Sequence, residues 1–113
     1  MTAAAAQQPA AASWRDVAPA GDVPRGAHRV YEIDGRFIAV YNVQDTLYAV
    51  EDACTHDGNP LSDGPLEGTE LICTRHGARF CLRTGAALSP PAYEPVAIFA
   101  VETRDGRLRI ASG

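Results

Sequence analysis

The chain has 113 residues, enough for one domain that buries a modest core without disulfide staples. Its net charge is -4, and Lys is absent, so all ten cationic side chains are Arg. That balance argues against a nucleic-acid role, and no apolar stretch approaches the length of a membrane span. Residues 1–12 are rich in Ala, Gln and Pro, with no cationic start and no Leu/Val/Phe-type run. They read as a disordered tail rather than a signal peptide, which sets the expected compartment as the cytoplasm. Residues 13–113 read as the folded domain.

Along that domain short alternating runs dominate. His28 to Ile33 and Phe37 to Val43 are β-branched and aromatic, and Asp34-Gly35 between them is a hairpin signal. Leu47 to Val50 follows Gln44-Asp45. From Asp57 to Gly68 the sequence is dense in Gly, Pro, Asp and Asn, which is loop chemistry. Leu71-Ile72 reads as a short strand entering Cys73. Arg83 to Gly85 and Ser89-Pro90-Pro91 are further loops. Val96 to Thr103 and Leu108 to Ile110 flank Asp105-Gly106 as a last hairpin. Many short strands at close spacing predict an all-β fold.

Two paired motifs carry chemistry: Cys54-Thr55-His56 and Cys73-Thr74-Arg75-His76, with sixteen residues between His56 and Cys73. Each loop offers a thiolate and an imidazole to a metal centre. Structural zinc also takes two Cys and two His, although zinc fingers usually order them Cys-Cys then His-His. Three cysteines make an odd count, which fits metal or redox chemistry better than a disulfide framework. No nucleophile–base pair stands out, so hydrolysis is not expected. Cys81 reads as a small buried hydrophobe and His28 as an ordinary strand residue. Trp14 and Tyr31 read as core or edge aromatics, and Asp57, Asp63 and Glu67 as solvated loop charges.

The run from Cys54 to Gly85 resembles the Rieske ferredoxin signature, including Gly58, Pro60, Leu61, Gly77, Phe80, Thr84 and Gly85. The resemblance spans Trp14 to Ile110. It implies stacked small antiparallel sheets with a [2Fe-2S] cluster at the tip, held by two loops. Cys54 and Cys73 would bind one iron, and His56 and His76 the other. Neutral imidazole in place of thiolate raises the potential above that of an all-Cys cluster.

Respiratory Rieske proteins carry a disulfide between the loops, where this chain has Asn59 and Arg75. They also carry a Ser where this chain has Ala78. Without that hydroxyl the potential is expected at the low end of the Rieske range, about -150 mV. Thr74 stands where Pro is usual, and Cys81 where Asp is usual. Pro90 and Pro91 correspond to a third loop over the cluster.

The pattern is that of ferredoxins that feed bacterial ring-hydroxylating dioxygenases. It implies a monomeric one-electron carrier, not itself an enzyme, between a flavin-containing NADH-dependent reductase and a terminal oxygenase. Oxidation would lower the pKa of the ligating imidazoles, so the potential should fall as pH rises through the oxidised-state values. Two alternatives are a Rieske-like small subunit of a nitrite reductase and a zinc-stabilised β binding module.

Overall fold

The computed structural model describes residues 13–54, 60–74, 77–90 and 92–112. Ten strands follow in chain order: β1 Ser13–Pro19, β2 His28–Ile33, β3 Arg36–Val43, β4 Thr46–Glu51, β5 Leu66–Glu67, β6 Glu70–Ile72, β7 Arg79–Cys81, β8 Ile98–Phe99, β9 Val101–Arg104 and β10 Arg107–Ser112. They form three antiparallel sheets, ordered β1-β10-β9, β2-β3-β4-β8 and β5-β6-β7. The expected all-β class of small stacked sheets is what the chain adopts.

The tight turns follow from local chemistry. Asp34-Gly35 and Asp105-Gly106 both take positive φ at their two residues. That is the handedness which matches strand twist in a two-residue hairpin. Gln44-Asp45 takes the same conformation without glycine. There the Asn42 carboxamide oxygen accepts the Asp45 N–H at 2.8 Å, which offsets part of the cost of a left-handed non-glycine pair.

Two features differ from the sequence expectation. The run from Val96 to Thr103 is not one strand. It pairs with β4 through Ile98-Phe99, leaves the sheet at Ala100, and pairs with β10 from Val101. One short segment thus joins two sheets, and residue alternation carries no mark of the change. The second is β1, which pairs with β10 across most of the chain, from Ser13↔Ser112 to Pro19↔Arg107. Its local sequence, SWRDVAP, lacks a strong strand pattern, so its conformation is set by a distant partner.

Side chains alternate across the four-stranded sheet and feed two cores. Ile38, Val40 and Ala49 face Leu108 and Ile110 of β10, together with Val23 and Ile33. Ala39, Tyr41 and Val50 face the other way, towards Leu61, Leu71, Phe80 and Leu82 of the small sheet and its loops. The second of these cores contains Cys54 and Cys73.

Candidate metal centre

Cys54 lies three residues past β4, and Cys73 lies directly after β6. Both are 2% exposed and both belong to the same buried cluster as Leu61, Leu71, Ala78 and Phe80. The three cysteines are thiols, not disulfides. The sequence therefore places two thiol side chains from different loops in one buried, apolar cluster. His56, Thr55, Asp57, Gly58, Asn59, Arg75, His76 and Pro91 lie outside the described residues.

Backbone bonds fix the loop ends. The Cys73 N–H donates to the Ala78 carbonyl at 2.8 Å, and the Gly77 N–H returns to the Cys73 carbonyl at 3.0 Å. These two bonds close the second loop on itself. Gly64 joins the loops: a Cβ there would lie 1.8 Å from the Ile72 carbonyl oxygen, one residue before Cys73. The Ile72 N–H donates to the Pro65 carbonyl at 3.1 Å. Only glycine allows this approach.

The first loop is closed by Asp52, a residue that the sequence reading passed over. Its carboxylate accepts the Ser62 N–H at one oxygen and the Ser62 hydroxyl at the other, each at 2.7 Å. Nothing local marks Asp52 as buried. An Asp two residues before Cys54, with Ser ten residues on, was the available signal.

The third loop is bonded to β7. Leu88 N–H donates to the Arg79 carbonyl at 2.7 Å, and Arg79 N–H to the Ser89 hydroxyl at 3.1 Å. Further on, Gly85 has φ +81°, and a Cβ there would lie 2.2 Å from the Val96 carbonyl oxygen. Pro90, Leu88 and Tyr93 are exposed. Arg79 also bridges Glu67 and Glu70, at 3.1 Å each, across the small sheet. Glu67 is thus a paired surface charge, and Asp63 is exposed.

His28 is exposed and stacks on Tyr41, ring centroids 4.9 Å apart. Trp14 lies at a sheet edge beneath the Arg109 guanidinium, and the Tyr31 hydroxyl donates to Asp22 at 2.6 Å. Cys81 is only half-buried, which differs from the expectation of a small core residue. Burial pushes its thiol up, but hydrogen bonds from Thr84 and Arg83 outweigh this and hold it below the ordinary thiol value.

Two buried thiols from two loops, in a shell of apolar side chains, suit an iron–sulfur group that must be kept from water. The profile of the Rieske [2Fe-2S] domain matches residues 13–100. The chain belongs to the Rieske [2Fe-2S] family. Its cofactor is therefore a [2Fe-2S] cluster, which removes the zinc alternative.

Ferredoxin CarAc of Metapseudomonas resinovorans is 38% identical over 99 residues, 87% of this chain and 92% of that protein. The ferredoxin component of a naphthalene 1,2-dioxygenase system from Pseudomonas aeruginosa is 33% identical over 97 residues, 86% of this chain and 93% of that one. Among solved structures, a carbazole 1,9a-dioxygenase complex of reduced oxygenase and oxidised ferredoxin contains a chain 38% identical to this one. It superposes with a TM-score of 0.79, covering 87% of this Rieske chain and 92% of that one. The carbazole 1,9a-dioxygenase ferredoxin of Nocardioides aromaticivorans IC177 has a TM-score of 0.82 at 26% identity, covering 89% and 99%.

Proposed function

We propose that this chain carries single electrons from a flavin-containing NADH-dependent reductase to the terminal oxygenase of an aromatic-ring dioxygenase system. The observation that carries the reading is that two thiols from two loops, Cys54 and Cys73, are buried in the same apolar cluster of a Rieske-family fold. Its relatives over nearly their whole length are ferredoxin components of such systems, which supports a separate carrier over a subunit of one stable enzyme. When bound, the cluster supplies a reversible one-electron couple.

In this reading Cys54 and Cys73 hold one iron and His56 and His76 the other. The apolar shell of Leu61, Leu71 and Phe80 excludes water from the thiolate side. Ala78 is fully buried in that shell and has no hydroxyl to donate, so the potential lies low in the Rieske range. The carrier acts as a monomer in the cytoplasm, where NADH is available to its reductase. No helix among the described residues is long and apolar enough to cross a membrane.

The test is the purified, coloured protein. Reduced with dithionite, it is expected to give a Rieske-type electron paramagnetic resonance spectrum, lost in His56→Ala and in His76→Ala. With a reductase and a terminal oxygenase it is expected to couple NADH oxidation to ring dihydroxylation. A colourless protein, or a histidine variant with an unchanged spectrum, would sink the reading.

A further inference from the structure

Among the described residues Asp52 alone of the charged side chains is buried, at 8% exposure. It stands two residues before Cys54. Its backbone N–H donates to the Phe37 carbonyl at 2.8 Å, and its carboxylate takes both donors of Ser62. Both oxygens act as acceptors, the pattern of an ionised carboxylate. No ion pair among the described residues involves Asp52. Its charge is thus fixed in place and shielded from water, with no cation paired to it among the described residues.

A clasp between residues 52 and 62 does not itself need a charge. Asn would accept the Ser62 N–H and donate to the Ser62 hydroxyl, closing the same ring at a smaller desolvation cost. The retained charge has a use if something nearby responds to it. Tyr41, in the same buried cluster as Cys54 and Cys73, does respond. Its phenol is held protonated by burial first and then by the charges of Asp52 and Asp63.

We propose that Asp52 sets the potential of the centre: its buried carboxylate, clasped by Ser62 beside Cys54, disfavours the added electron and keeps the couple low. The proposal rests on the cluster reading above. The mechanism is electrostatic. A fixed negative charge in a low-dielectric interior raises the energy of the reduced state more than a solvated charge does. Asp52 is a positioning residue for the first loop and a source of field for the cluster.

The experiment compares Asp52→Asn, Ser62→Ala and the exposed control Asp63→Asn by redox titration of the holoprotein at pH 7. Asp52→Asn is expected to raise the midpoint. The reduced-to-oxidised ratio at fixed ambient potential should rise about tenfold, which is about 59 mV for a one-electron couple. The shift should persist from about 0.01 to 1 M salt, because a buried charge is poorly screened. Asp63→Asn should shift less, and its shift should vanish in high salt. Ser62→Ala removes a donor that offsets the carboxylate, so its midpoint should fall.

A native spectrum with an unmoved midpoint in Asp52→Asn, or a shift erased by salt, overturns the proposal. If Asp52→Asn does not assemble, Ser62→Ala carries the test. A lower midpoint then supports the proposal, and an equal or higher one overturns it. A wild-type protein without a Rieske spectrum overturns both readings, whereas a Rieske spectrum with an unmoved Asp52→Asn midpoint overturns this one alone.

Discussion

Tyr41 is 4% exposed, and its hydroxyl has no hydrogen-bond partner among the described residues. A buried unpaired donor costs about 1–3 kcal/mol, whereas Phe fills the same shape without it. Tyr41→Phe is therefore expected to be at least as stable as wild type, by up to about 1 kcal/mol, in denaturant melts of the holoprotein at pH 7. The phenol also gives a pH signature. Burial and the nearby Asp52 and Asp63 raise its folded value above the unfolded value of about 10. The fold thus favours the protonated form. That contribution is complete below about pH 10 and is lost as pH rises through the folded value. Stability should decline above about pH 10 in wild type and decline less in Tyr41→Phe. Equal slopes would show that the phenol does not titrate against the fold.

Cys81 differs from the other two cysteines in the same terms. It is half-buried while Cys54 and Cys73 are sealed. The Thr84 and Arg83 donors that lower its thiol value are in the turn directly after β7. Iodoacetamide should modify the holoprotein at Cys81 first, with a rate midpoint below the ordinary thiol pKa. Thr84→Val removes a donor and should move that midpoint up. Peptide mapping that found Cys54 or Cys73 labelled before Cys81 would contradict the assigned burial.

At the level of the elements, the loops depend on backbone contacts as much as on side chains. Gly64→Ala places a methyl against the Ile72 carbonyl, so either the first loop or the strand leading to Cys73 must shift. Iron per chain should fall well below two in Gly64→Ala. Gly21→Ala, with open space around the added methyl, should keep full occupancy. Iron analysis checks both.

The same contrast explains what the sequence made legible. The hairpins at Asp34-Gly35 and Asp105-Gly106 were readable because a two-residue turn encodes its own handedness. The Cys54-Thr55-His56 and Cys73-Thr74-Arg75-His76 motifs stand out in the sequence because metal chemistry gathers Cys and His into a few local positions. β1 was not, since its strand conformation comes from β10, about ninety residues on. The sheet change at Ala100 was not readable either, because pairing partners are chosen by the whole fold. Asp52 escaped for a related reason. Burial of a charge is a tertiary fact, and an Asp in a loop-rich segment reads as solvated until its partner Ser62 is seen.

Across the whole molecule, the two cores divide the labour. The core of Val40, Ala49, Leu108 and Ile110 contains neither Cys54 nor Cys73, while the core of Leu61, Leu71 and Phe80 contains both. The small sheet has strands of only two or three residues, too short to hold a register by pairing alone. β3 and β10 are longer and pair on both sides.

Loss of the cluster should therefore unfold the molecule in part. With the ligation proposed above, removal by acid or chelator leaves Cys54 and Cys73 buried without their partner group in the smaller unit, and metal binding is folding free energy for such a unit. The sheets around Val40 and Ile110 keep a core that holds neither Cys54 nor Cys73. In hydrogen exchange on the apoprotein, amides of β3 and β10 should stay protected while those of β5, β6 and β7 exchange rapidly. Reconstitution with iron and sulfide should restore protection to the small sheet alone. Uniform loss of protection across all ten strands would mean instead that the two cores fold as one cooperative unit, with the cluster needed by both.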